Sequence, residues 1–529
     1  MPVHPHDTQC RCSRRARDSA CHALPALAAG LLMNKKSPSS HAGERSPRSA
    51  RQNTGAPGSS APGRRSSGAS GRSERKPSGA AAAPVDTDAI RFPPPPLAPD
   101  SLAFALDGAA QVIGAVRAGA ALPAALASII ATQAAPLARG ATQDIAYRTL
   151  RALGLADALA TTLVAKAPPP HVANLLTCAL ALLADAPENA AYAPFTVVDQ
   201  AVSAIGARRE LNFAKGLVNA VLRNFLRQRE TLLAEAMRDP VARWNAPHWW
   251  INAVRKAWPE QWQVMLDADR VQGPLTLRVN RRKSTMEAYQ ARLEQAHLPC
   301  VAVGPSAVQL LQGVPVDRLP GFADGVVSVQ DAGAQRAAVL LDVRDGMRVL
   351  DACAAPGGKS GHLLELADIE LVALESDAVR SRRIDENLAR LGLQAQVQIG
   401  DAGDPSAWWD GKPFDRILAD VPCSASGIVR RHPDIRWLRR ATDIAPLVAL
   451  QRRIVLALWP LLAKDGELLY VTCSIFPEEG ELQAQWFESV QQDAVRLDAP
   501  GQLLPSAAVP GTQRDANHDG FFYARFQKR

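Results

Sequence analysis

Met347-Arg-Val-Leu-Asp-Ala-Cys-Ala-Ala-Pro-Gly-Gly-Lys-Ser360 reads as an apolar strand, a glycine-rich loop and the start of a helix over 360–366. A strand, loop and helix in that order form the repeating unit of a doubly wound α/β sheet. The same alternation continues outward. Ile369 to Leu374 and Ala395 to Ile399 read as strands flanking an amphipathic helix from Ala378 to Leu391. Phe414 to Ala419, Gly466 to Val471 and Gly520 to Phe526 supply further strands. The expectation is a mainly parallel sheet over 331–529, with ligands at the carboxyl ends of its strands.

The loop admits two readings. Cys353-Ala354-Ala355-Pro356-Gly357-Gly358-Lys359-Ser360 is one residue from a phosphate-binding P-loop, with Cys353 where the first glycine belongs and Asp420 as the acid that would hold Mg²⁺. That first glycine has a conformational task that cysteine performs poorly. Glu375 ends the second strand, 17 residues past Gly358, where a carboxylate can grip the hydroxyls of a ribose. A nucleoside cofactor therefore fits better than a triphosphate.

Two thiols follow strand-like runs downstream: Cys423 in Asp420-Val-Pro-Cys-Ser424 and Cys473 in Val471-Thr-Cys-Ser474. A thiolate is the strongest side-chain nucleophile near neutral pH, so a thiol at a strand end beside a cofactor loop points to covalent chemistry. The competing reading is a buried small hydrophobe.

Upstream, the chain divides by composition. Residues 1–96 are a Ser-, Gly-, Pro-, Ala- and Arg-rich tail that cannot bury enough apolar surface to fold. Within 1–91 there are 15 Lys and Arg against 6 Asp and Glu, so this stretch carries +9 of a total of +8 and the rest is near neutral. Any nucleic-acid contact by the folded body must come from a local patch. Ala20 to Met33 superficially resembles a signal peptide without a persuasive cleavage site, and Met33 is an alternative start. No apolar segment approaches bilayer-spanning length, and the eight cysteines show no C-x-x-C pair; a reducing, cytoplasmic setting without a metal is expected.

Residues 97–238 read as an all-helical domain, with segments at 119–132, 142–166, 170–186, 196–206 and 212–236. The last has a polar face of Lys215, Asn219, Arg223 and Arg227. Residues 239–330 form a small α/β bridge, opening with Trp244, Trp249 and Trp250, read as core rather than base-stacking platforms.

Together the loop, Gly400-Asp401, the Pro-Cys423 and Thr-Cys473 runs, Gly427 to Trp437 and Asp519-Gly-Phe-Phe-Tyr523 resemble the S-adenosylmethionine-dependent RNA cytosine-5 methyltransferases. With the helical domain in front, the likeness narrows to the bacterial 16S ribosomal RNA enzymes of the RsmB (Sun, Fmu) group, which act on cytosine 967. It covers about 99–529. The resemblance implies a Rossmann-like catalytic domain and a NusB-like RNA-binding helical domain. It also implies Cys473 as nucleophile, Cys423 in product release and Asp420 positioning cytosine. Cofactor contacts would come from Cys353, Ala354, Ala355, Pro356, Gly357, Gly358, Lys359, Glu375, Asp401 and Asp420. Glu375 stands where the family commonly has Asp, and Asp377 is an alternative carboxylate. RNA contacts are expected from Lys215 and Arg223 and from a phosphate clamp of Arg430, Arg431 and Arg436, with Arg439 and Arg440 beside them. Transfer RNA is the alternative substrate, and a non-catalytic RNA-binding or antitermination factor the alternative class. No membrane or obligate protein partner is expected.

Overall fold

The computed structural model describes residues 96–529 apart from 134–135, 187, 189 and 506–516. The basic tail, the Ala20 to Met33 segment and the alternative start lie outside the described residues. Among the described residues the chain opens with eight α-helices, Leu102–Arg117, Leu122–Gln133, Pro136–Arg151, Leu153–Leu163, Pro170–Ala184, Pro194–Ala207, Lys215–Arg227 and Arg229–Ala236. The first starts where Ser101 Oγ accepts the Phe104 N–H at 3.2 Å. Two expected segments are each broken once, at Ala152 and at Gln228. At these breaks the chain turns so that Leu150 and Leu153, or Phe225 and Leu232, stay on one core. Buried Asp107 ties that core together, paired with Arg208 at 2.6 Å and His171 at 2.9 Å. Burial favours its neutral form, but those two partners outweigh burial and hold its pKa below the usual range.

Short helices Pro240–Trp244, His248–Ala257 and Trp262–Ala268 follow. Trp250 is fully buried, 5.2 Å from the Phe476 ring. With Ile251 and Val254 it joins the core that contains Leu363, Cys423 and Cys473. Next comes an antiparallel sheet of β1 (Leu275–Val279), β2 (Cys300–Ala302), β3 (Ala307–Leu310) and β4 (Val327–Val329), in order β2-β3-β1-β4. Tyr289 and Leu293 of helix Met286–Gln295 pack into its core. Arg278 of β1 crosses to helix Gly358–Leu366, where Glu365 accepts from its Nε at 2.9 Å and its Nη2 at 2.7 Å.

The second sheet contains β5 (Arg348–Asp351), β6 (Glu370–Glu375), β7 (Gln396–Ile399), β8 (Phe414–Asp420), β9 (Leu462–Thr472), β10 (Ala494–Leu503) and β11 (Phe521–Lys528). Their order is β10-β11-β9-β8-β5-β6-β7. β5 to β9 run parallel, and β11 is antiparallel to both β9 and β10. The chain builds outward from β5 through β6 and β7, then crosses back to place β8 on the other side of β5. This reversal opens a crevice at the carboxyl ends of β5 and β8. The sequence reading missed β2 and β10.

The segment Ala441–Leu461 is long and apolar enough by composition to cross a bilayer, contrary to the sequence reading. It contains Arg452 and Arg453, and it packs Ile454, Val455 and Leu458 into the core of the seven-stranded sheet.

Candidate active site

The loop after β5 remains attached to both neighbouring strands. Ala352 donates to Leu418 O and Ala354 to Leu374 O, each at 2.9 Å. Gly357 then turns the chain into helix Gly358–Leu366 at φ 90°, and a Cβ there would lie 3.2 Å from Ile384 Cα. Left-handed backbone and close packing together call for glycine. At the strand end, buried Asp351 accepts from Ser360 Oγ at 2.7 Å, and burial pushes its pKa up to about 7. Lys359 points across the crevice and pairs with Asp420 at the end of β8. Burial opposes the Lys359 charge, but the Asp420 carboxylate outweighs it and raises the pKa. The ammonium also sits 5.7 Å from the Phe521 ring centre.

Glu375 is buried at the end of β6, beside that loop, and accepts from Asp377 N at 3.0 Å and Ser376 Oγ at 3.3 Å. Arg380 stands 3.4 Å away. Asp377 is occupied otherwise: it caps helix Ala378–Leu391, accepting from Val379 N at 2.7 Å and Arg380 N at 3.1 Å. Of the two, Glu375 is the carboxylate at the strand end beside the loop. Asp401 lies just past β7, exposed, bonded to Gly403 N at 2.8 Å and paired with Arg453 at 2.9 Å.

β8 and β9 pair in parallel as far as Asp420↔Val471, so the Pro-Cys and Thr-Cys runs leave the sheet side by side. Both thiols are buried, and their sulfurs approach to 3.4 Å. The hydrogen bond to Cys473, reinforced by burial, pushes the Cys423 thiol well above its ordinary pKa. Gly427 clasps the arrangement by donating to Cys473 O at 2.9 Å, and a Cβ on it would meet Gly520 O at 2.2 Å. Trp258 Nε1 holds Ile475 O at 2.8 Å.

Of the expected arginine clamp only Arg440 is exposed. Arg430 and Arg436 are buried, and Arg431 is largely so. Arg430 and Arg431 both pair with buried Asp519, and Arg431 also reaches Asp331 at 2.7 Å. Burial favours a neutral Asp519, yet the two guanidinium groups outweigh it and lower its pKa. Arg436 donates to Asn245 O at 2.8 Å and lies 3.3 Å from Asp269. Arg439 bonds the carbonyls of Ser424 at 3.0 Å and Cys423 at 3.3 Å. A guanidinium already held by carboxylates and carbonyls inside the protein cannot clamp an RNA phosphate; these side chains brace the loop after Cys423. Lys215 and Arg223, by contrast, are exposed on helix Lys215–Arg227, and Arg223 bonds Asn219 at 2.8 Å.

The sequence reading also passed over Glu479, a fully buried carboxylate beneath both thiol loops. Nothing local marked it, since it lies in the acidic run Glu478-Glu479-Gly480-Glu481, where an acid reads as solvated.

Comparison with known proteins identifies the family. The family model for the 16S rRNA methyltransferase RsmB/F matches residues 338–527, and the RsmF/B-like ferredoxin-like domain matches 246–317. Ribosomal RNA small subunit methyltransferase B of Pseudomonas syringae pv. tomato is 43% identical over 408 residues, covering 74% of this chain and 89% of that protein. The protein of the same name from Vibrio cholerae is 46% identical over 319 residues, covering 60% of this chain and 73% of its own length. The crystal structure of PH0851 superposes with a TM-score of 0.62 at 24% identity over 80% of this chain and 99% of that one, a likeness of fold. A glycine-rich loop, a strand-end glutamate and two adjoining thiols, in a chain this close to those relatives, place it in the RsmB/F family of 16S rRNA methyltransferases.

Proposed function

We propose that the protein transfers a methyl group from S-adenosylmethionine to C5 of a cytosine in 16S ribosomal RNA, with Cys473 adding to C6 of that base. The observation that carries this reading is the 3.4 Å approach of two buried thiols beside the loop after β5. Cytosine C5 is a poor nucleophile until a thiolate at C6 turns the ring into an enamine. Cys473 is the attacking group. Cys423, kept protonated by its hydrogen bond to Cys473 and by burial, stays within reach of the Cys473 sulfur, which departs as a thiolate when a base takes the C5 proton, the C6–S bond breaks and the C5–C6 double bond re-forms. Asp420 faces the same crevice and suits the N3/N4 edge of cytosine, where its charge favours an iminium-like ring. Lys359 holds that carboxylate in place.

The donor set fits a nucleoside with an amino-acid arm better than a triphosphate. Lys359, which a triphosphate would need, is bound to Asp420, and Glu375 and Asp351 add carboxylates on the same side of the sheet. Cys353 to Lys359 would hold the methionine and ribose, Glu375 the ribose hydroxyls, and Asp401 would lie near the adenine. When bound, the cofactor supplies an electrophilic methyl group.

The helical domain, which we read as NusB-like, would hold the RNA, with Lys215 and Arg223 on its exposed face. Reaching C6 requires drawing the base out of any stack, which costs a few kcal/mol and is easiest in a loop. Such a substrate sets the work in the cytoplasm. Bisulfite mapping of ribosomal and transfer RNA from a deletion strain tests the assignment: one cytosine of 16S rRNA should lose its mark. Loss confined to transfer RNA would replace the substrate.

A further inference from the structure

One side chain joins the two thiol loops. Oε1 of Glu479 accepts the Ser424 N–H at 2.8 Å and Gln451 Nε2 at 3.0 Å, while its Oε2 accepts the Ser474 hydroxyl at 2.7 Å. Its backbone carbonyl accepts from Tyr470 Oη at 2.9 Å and from Thr472 Oγ1 at 3.3 Å. Ser424 follows Cys423 and Ser474 follows Cys473, so this carboxylate grips the residue next to each sulfur. Ser426 Oγ completes the clasp, 3.0 Å from both serine hydroxyls and 2.9 Å from Ile475 N, from which it accepts.

The two thiols do not depend on the clasp equally. Cys473 directly follows Thr472, which is still paired with Phe522 in the sheet, and its carbonyl is held by Gly427. Cys423 lies three residues beyond the end of β8; Arg439 reaches its carbonyl at 3.3 Å, but Gln451, which holds Pro422 O at 3.0 Å, is itself bonded to Glu479, and the nearest N–H anchor is the Ser424 bond to Glu479. A change in the reach of residue 479 therefore moves Cys423 more than Cys473.

We infer that Glu479 is a positioning residue that sets the separation of the two thiols and so governs release of the methylated base more than attack on it. This rests on the covalent route proposed above. Reach and charge can be separated. Glu479→Gln keeps the length; its amide oxygen still accepts from Ser424 and its NH₂ can donate to the Ser474 hydroxyl. Glu479→Asp keeps the charge but withdraws it by about 1.5 Å, one carbon–carbon bond.

The experiment is methylation of 16S rRNA fragments by the full chain, followed by denaturing electrophoresis, with Cys423→Ala alongside. For Glu479→Asp the expected result is an RNA–protein band that survives denaturation. Its steady turnover should fall on the order of tenfold while the first methyl transfer falls less than about threefold, since misplacement by an ångström is costly only for the step it touches. Glu479→Gln should leave no such band and keep turnover within about threefold. Loss of adduct and product together in Glu479→Asp, as a merely structural role would give, overturns the inference. So does a Glu479→Gln variant that behaves like Asp. If Cys423→Ala itself traps no adduct, the roles proposed for the two thiols fail; if it does and Glu479→Asp does not, only the positioning role fails.

Discussion

Asp434 accepts the backbone N–H of Leu122 at 2.9 Å, bonding the loop that runs on from Cys423 to the first turn of a helix in the preceding domain. Asp434 is fully buried, and Trp437 and Leu438 beside it pack on the helical core. Removing the carboxylate leaves a buried N–H without its acceptor. Asp434→Ala should therefore destabilise the protein by about 1–3 kcal/mol in urea unfolding. An unchanged midpoint would show that the two domains are not joined through this bond.

The arginines behind Cys423 should behave as structural groups. Arg430→Ala strips Asp519 of one of two buried partners, and breaking such a pair costs on the order of 3 kcal/mol or more. The salt dependence of RNA binding should not change. Arg223→Ala should do the reverse, leaving stability alone and lowering the slope of log affinity against log salt by about one. Salt titrations of RNA affinity decide it, and a lowered slope for Arg430→Ala would restore the phosphate clamp.

Stability should carry the titration of Asp351. Its folded pKa of about 7 lies above the ordinary value of 3.8, so the folded state holds the proton longer than the unfolded one. Stability contributed by this group is thus full at low pH and is lost as pH rises from about 4 through 7. Asp351→Asn keeps an acceptor for Ser360 and removes the titration. Relative to the wild type it should gain on the order of 4 kcal/mol between pH 4 and pH 8. Urea midpoints that run parallel across that range would contradict the shift.

Cys473→Ala should abolish methyl transfer even in a single turnover, while S-adenosylmethionine affinity changes by less than about twofold, because the thiol serves the base rather than the cofactor. Equilibrium binding and rapid-quench methylation on the same preparation provide the check. Appreciable single-turnover product would remove Cys473 from the nucleophile role.

What was legible in the sequence was whatever lies within one unit of chain. The loop Cys353 to Lys359, the strand-end Glu375 and the two thiols could be read because β5, β6, β8 and β9 each carry their chemistry directly at or beyond their last residue. The arginines were misread because nothing local distinguishes a solvated Arg from a buried one. The partners that bury them, Asp331, Asp519 and Asp269, are 88 to 167 residues away. Glu479 was missed because its partners Ser424, Gln451 and Ser474 close around it only in the fold. β10 was hidden by Pro500 and Gly501, which an edge strand tolerates where its register slips. The breaks at Ala152 and Gln228 interrupt a helical periodicity that itself continues unbroken.

The central claim, that Cys473 attacks and Cys423 releases, is tested most directly by mixing each cysteine variant with 16S rRNA and S-adenosylmethionine and running the mixture on a denaturing gel. With their sulfurs 3.4 Å apart, the two thiols share one site, and the gel separates their roles. Cys423→Ala should form the C6 adduct, transfer the methyl group and stall, leaving RNA bound to protein through denaturation; adding Cys473→Ala should abolish the band. A band trapped by Cys473→Ala and absent from Cys423→Ala would reverse the two roles and contradict the account.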